Sequence, residues 1–208
     1  RDLMRNPAYK YNLIACLLFF PFVLWTQWKA GVGTHSSWRR MLACLSLLYV
    51  VPLIISARTV ALELRMLGFY RLTLPKLEHL LDLKWRAQAV LNCLIVAVLS
   101  LPYFLFVRQG AQPFEPAYFA GCVVLYVPVL TMLALALGTF FPAGAVSVNP
   151  IGMSKWGIIL YALLAIVLYS FLLNYMYLEI LIYSLFLIPL TLLLYLGARR
   201  YLFVLCGR

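Results

Sequence analysis

The chain has 208 residues, of which 65% are hydrophobic and only 11% charged, and its mean hydropathy is +0.97. Soluble domains carry about 25% charged and about 45–50% apolar residues, and a small fold leaves much of its surface exposed, so a soluble enzyme and a disordered tail are both excluded. The formal net charge of +11 would suggest nucleic acid in a soluble chain, but basic residues also gather beside membrane spans on the cytoplasmic side, and that explains the excess here without any nucleic-acid partner.

The sequence opens on Arg1 with no signal peptide and reads as a segment of a longer protein. Crossing the hydrocarbon core takes about 20 mostly apolar residues, and six runs meet that requirement. They are Tyr11–Trp28, Met41–Ala57, Ala87–Val107, Tyr118–Phe140, Trp156–Leu173 and Ile180–Ala198. Each is continuously apolar and none alternates as a lipid-facing strand must, so the expected fold class is an all-α membrane protein with six transmembrane helices in a single domain. The second run loses its apolar character through Thr59–Leu67, so its helix is expected to extend beyond the membrane.

Orientation follows from the basic residues. With the N-terminus inside, thirteen fall in inner segments: Arg1, Arg5, Lys10, Arg58, Arg65, Arg71, Lys76, Lys84, Arg86, Lys155, Arg199, Arg200 and Arg208. Only Lys29, Arg39, Arg40 and Arg108 fall outside, so both ends are expected in the cytoplasm of a multi-pass protein of the cytoplasmic (inner) membrane. Five spans contain proline (Pro21, Pro52, Pro102, Pro128 and Pro189), which membrane bundles accommodate when neighbouring helices satisfy the freed carbonyl.

The longest loop, 58–86, lies on the inner side. From Leu74 it reads L-P-K-L-E-H-L-L-D-L-K-W-R-A, with Pro75 placed as a first helical residue. Leu77, Leu80, Leu81, Lys84 and Trp85 share one face at helical spacing, while Lys76, Glu78, His79, Asp82 and Arg86 cluster elsewhere, and Asp82 with Arg86 has the spacing of a local ion pair. The expected element is a short amphipathic helix at the inner edge of the membrane. Pattern alone leaves two uses open, lying flat on lipid headgroups or inserting into a groove on a cytoplasmic partner.

Other signals are sparse. The cysteines Cys16, Cys44, Cys93, Cys122 and Cys206 are far apart, with no C-x-x-C pair, and read as small apolar side chains. There is no phosphate-binding G-x-x-x-x-G-K-[ST] loop and no H-E-x-x-H, so neither nucleotide nor metal chemistry is expected of this chain, nor any catalytic residue or cofactor. No acidic residue falls in mid-span; Glu179, with Asn174 nearby, comes closest. Polar residues within spans include Asn12, Ser46, Asn92, Ser100, Thr131 and Ser170, which either line a path or bond helix to helix. Ala134 and Gly138 have the spacing of a close helix crossing.

The R-N-P start, the six spans, and above all Phe69-Tyr70 … Leu80-Leu81-x-Leu83-Lys84-Trp85 followed by Leu99-Ser100-Leu101-Pro102-Tyr103 resemble the transmembrane domain of ABC-2-type transporter permeases. The sharper motif covers residues 69–103. The resemblance implies a permease subunit, one half of a longer permease or a homodimer, whose 58–86 loop couples it to a separate cytoplasmic ABC ATPase. Carried over by position, it implicates Leu72, Pro75, Leu77, Leu80, Leu81 and Lys84 in ATPase docking. Asn92, Asn174 and Glu179 are the candidates for a substrate path. The chain departs from the family pattern in its very short 174–179 connection and in the 139–155 loop, which carries no family signature. A membrane scaffold subunit and an intramembrane lipid-modifying enzyme are the competing functions; for the enzyme, His79 with Glu78 and Asp82 is the one acid–base cluster.

Overall fold

The computed structural model describes residues 45–57, 78–106, 114–142, 153–173 and 177–207. They form five helices: α1 (Leu45–Ala57), α2 (Glu78–Phe106), α3 (Phe114–Phe140), α4 (Lys155–Leu173) and α5 (Tyr177–Gly207). The last four are long and apolar enough to cross a membrane, which makes the chain a multi-pass membrane protein; α1 is apolar but shorter. The expected spans 118–140, 156–173 and 180–198 lie within α3, α4 and α5. The expected span 11–28 lies outside the described residues.

One boundary needs correction. The amphipathic helix and the third span, expected to meet near Ala87, are a single helix running from Glu78 to Phe106. The polarity of Lys84 and Arg86 moves the hydropathy boundary, but neither residue breaks a helix, and Gly, Pro and capping side chains are absent from residues 83–91.

The core is centred on α3. Of its span, 61% is buried, against 17% for α5, which turns most of its circumference outward. α1 is wedged beside α3, with Leu45, Leu47, Leu48, Val51 and Ile55 all buried in the main apolar cluster. Where α1 crosses α3, a Cβ on Gly138 would lie 2.9 Å from Ala57 O, so the missing side chain is what lets the two backbones touch. The close crossing expected at Ala134 and Gly138 is therefore present; Ala134 is also fully buried.

Tyrosine hydroxyls, which need partners in an apolar bundle, tie the helices together. Tyr161 of α4 donates to Tyr49 O of α1 at 2.9 Å, and Tyr183 of α5 donates to Leu164 O of α4 at 2.8 Å. Tyr118 of α3 donates to Leu172 O, a carbonyl in the last turn of α4 that has no donor within its own helix. Ser184 donates to Ile180 O, so the Tyr126 hydroxyl, 2.8 Å away, donates to Ser184 in turn.

At one end of the bundle α3 and α4 are clamped. Ser154 N donates to Phe141 O, an isolated bridge pairs Pro142 with Met153, and Ser154 Oγ caps α4 by accepting from Gly157 N. Asp82 of α2 and Arg199 of α5 pair at this same end, where Phe140 and Tyr201 also meet. It is called the Asp82 end below. Glu179, in the first turn of α5, marks the opposite one.

Candidate functional site

Among the described residues α2 contributes three of the seven buried polar side chains, Gln88, Asn92 and Ser100. Its buried residues, Leu81, Gln88, Ala89, Asn92, Val96, Leu99 and Ser100, fall on one side of the helix. Leu83, Val90, Leu94, Val98 and Leu101 cover the opposite face and are exposed, as a lipid-facing surface would be. Two polar clusters sit along the buried face.

The first lies near the middle of the span. Asn92 is fully buried, and its Nδ2 donates to Ser56 Oγ of α1 and to Thr131 Oγ1 of α3, both at 2.9 Å. Thr131 spends its own hydroxyl proton on Val127 O at 2.7 Å, which leaves it only an acceptor for Asn92. One amide thus pins three helices. Its Oδ1 has no hydrogen-bond partner among the described residues, and neither has the buried Thr191 Oγ1 of α5.

Replacing Asn92 by Ala is expected to lower unfolding stability by about 1 kcal/mol. Two interhelical bonds at about 0.6 kcal/mol each are lost, partly offset by removal of the unpartnered oxygen. Denaturant titration in detergent, combined with Thr131→Val, measures this: a coupling energy near zero between the two positions would mean that the bond contributes nothing.

The second cluster is at the Asp82 end. Asp82 Oδ2 lies 3.4 Å from Arg199 Nη1, and Asp82 Oδ1 accepts from Tyr195 Oη at 2.8 Å. Trp85 donates its indole N–H to Pro128 O at 3.1 Å, and its ring lies 6.4 Å from that of Tyr195. Beneath these groups Leu81, Leu135, Ala136, Ala198 and Leu202 form a second apolar cluster. The α2 segment expected to stand apart as an amphipathic helix is thus fastened to α3 and α5. Asp82, expected to pair locally with Arg86, finds its salt-bridge partner on α5.

The proposed docking residues do not share one fate. Leu81 is 2% exposed and packs inside the bundle, so a contact with a partner would require it to leave its present neighbours. Lys84 is half-buried on α2. Leu80 belongs to α2, whereas Leu72, Pro75 and Leu77 lie outside the described residues. Of the substrate-path candidates, Asn92 holds three helices together, Glu179 is half-buried in α5, and Asn174 lies outside the described residues. Ser56, Trp85, Tyr195 and Arg199 complete the two clusters without having been singled out as site residues. A small hydroxyl in an apolar run and an arginine near a span's end carry no local pattern that would have marked them.

Among the described residues no group of three or more His, Cys, Asp or Glu is placed to hold a metal ion. Cys122 is buried and Cys93 half-buried, its thiol directed at Val123 O at 3.9 Å, so both face helix neighbours. No protein-family model, no curated protein and no solved structure matches the chain.

Proposed function

We propose that this chain is the membrane-embedded permease subunit of an ATP-driven transporter of the ABC-2 kind. In this reading six spans cross the cytoplasmic membrane with both ends inside, and the chain works as a homodimer or beside a second half. It performs no chemistry itself. A separate cytoplasmic ATPase docks on the 58–86 loop, through Leu72, Pro75, Leu77, Leu80 and Lys84, and supplies the energy.

The observation that carries the reading is the continuity of α2. A helix of 29 residues, about 43 Å long at 1.5 Å per residue, joins the end of that loop to the far side of the bundle without a break. A push on the loop therefore moves the whole helix, and with it Asn92 and the α5 end tied to Asp82. Leu81 is withdrawn from the docking set because it holds this lever against α3 and α5.

A static scaffold for a larger complex is the second reading, favoured by the closed packing around Asn92, whose side chain is fully buried. Affinity purification of the protein in mild detergent, wild type beside Leu72→Asp/Leu77→Asp, separates the two. Permease function predicts that wild type brings down an ATPase with measurable ATP hydrolysis, and that the double variant loses it while keeping its size-exclusion profile. Should no ATPase accompany either preparation, the permease reading falls and the scaffold stands.

A further inference from the structure

Polar contacts fasten α5 to the bundle on both sides of a proline. On one side Tyr183 donates to Leu164 O of α4, and Ser184 meets the Tyr126 hydroxyl of α3. On the other, Tyr195 donates to Asp82 Oδ1 at 2.8 Å, and Arg199 Nη1 lies 3.4 Å from Asp82 Oδ2. Pro189, inside the helix, stands between the two sets. It has no N–H to give Leu185 O, so the helix lacks one backbone bond there, on a side where both Leu185 and Pro189 are exposed. The two halves of α5 can therefore change their angle without breaking a backbone bond.

The two fastenings differ in kind. Tyr183 and Ser184 make neutral bonds within the bundle. Asp82 and Arg199 are charged and 28% and 31% exposed, and an ion pair that water reaches is readily exchanged for hydration. Among the described residues beyond Pro189 one strip is buried, made of Thr191, Tyr195, Ala198 and Leu202, while Leu192, Leu193 and Leu196 face outward. One member of that strip is ill-suited to a closed bundle. Thr191 is 1% exposed, yet its Oγ1 has no hydrogen-bond partner among the described residues, and a hydroxyl shut away unbonded raises the energy of the closed form.

We propose that residues 190–202 of α5 form a hinged gate. They swing about Pro189, the Asp82 contacts latch them shut, and opening admits water to the bundle as far as Thr191. The open form gives Thr191 Oγ1 a water to bond and uncovers the part of α2 against which Tyr195 now lies. The half of α5 before Pro189 stays in place on α3 and α4. The gate belongs to the bundle itself and stands whether or not an ATPase docks on the 58–86 loop.

Single-cysteine labelling by a water-soluble maleimide tests it, in the full chain with its own cysteines replaced by alanine. Thr191→Cys reports on the gate. Leu187→Cys, 0% exposed and one turn earlier across Pro189, reports on the anchored half. Both are expected to react slowly while Asp82 is present. Asp82→Ala is expected to speed the reaction of Thr191→Cys about five-fold, the upper worth of an exposed ion pair, and to leave Leu187→Cys slow. Adding Pro189→Ala restores the missing backbone bond and should suppress the gain. If Asp82→Ala does not run as a monodisperse peak, Asp82→Asn removes the charge while keeping an acceptor for Tyr195, and the same gain is expected of it.

Unchanged labelling of Thr191→Cys in the folded Asp82 variant would remove the latch. An equal gain at Leu187→Cys would mean that the whole of α5 loosens, and a gain that persists with Pro189→Ala would put the hinge elsewhere; either result overturns the gate.

Discussion

Leu81→Asp is expected to cost about 3 kcal/mol or more and to abolish a monodisperse folded peak in detergent, whereas Leu83→Ala, two residues along the same helix, should change stability by less than about 1 kcal/mol. The contrast follows from position alone. Leu81 is 2% exposed among Leu135, Ala136, Tyr195, Ala198 and Leu202, while Leu83 is 68% exposed. An aspartate at 81 would place a second carboxylate beside Asp82, whose hydrogen bond to Tyr195 and salt bridge to Arg199 are already made. The new charge would be buried beside a like one. Leu81→Ala gives the same test in a variant that still folds, at about 2–3 kcal/mol for the lost packing.

Thermal unfolding followed by size-exclusion fluorescence ranks these variants. If Leu81→Asp matches wild type, the side chain faces outward and the attachment of α2 to α5 is wrong. The result also bears on coupling. A loss of ATPase association in a Leu81→Asp variant would be ambiguous between docking and collapse, which is why the functional test belongs at Leu72 and Leu77.

How far the sequence could be read depended on whether a feature is local. The spans in α3, α4 and α5 were legible because uninterrupted apolar length is a property of one segment. The close crossing at Gly138 was legible as well, since small residues four apart leave a groove whatever fills it. Two features were not. The division of α2 at Ala87 was inferred from a change in polarity, but a helix ends where hydrogen bonding or sterics end it, and nothing at Arg86–Ala87 does so. The partner of Asp82 was sought four residues away, on Arg86, while the structure supplies Arg199 from the last helix. Helical spacing reveals which residues share a face, not which distant helix will lie against it. For the same reason Asn92 stood out as a polar group in a span, but Ser56, which completes its bonds, did not.

The contact between α1 and α3 permits the sharpest mechanical prediction. Gly138→Leu is expected to destabilise the bundle by about 2–3 kcal/mol, and Gly138→Ala by about 1 kcal/mol or somewhat more. Even the alanine Cβ would sit 2.9 Å from Ala57 O and 3.4 Å from Ala57 Cα, and a backbone wall cannot rotate away as a side chain can. The cost has a particular route. Ala57 adjoins Ser56, so a displacement of α1 outward from α3 and α2 pulls the Ser56 hydroxyl from Asn92 Nδ2, where it is now 2.9 Å away. In the wild-type background Ser56→Ala should therefore be destabilising by about 0.6 kcal/mol, the average worth of an interhelical bond in a membrane. In the Gly138→Leu background the bond is already broken, and the same substitution should cost nothing. A double-mutant cycle in denaturant reads this as a coupling energy equal to the Ser56 term. Strict additivity would show that α1 accommodates the leucine without moving, and that Gly138 does not hold the Asn92 cluster together.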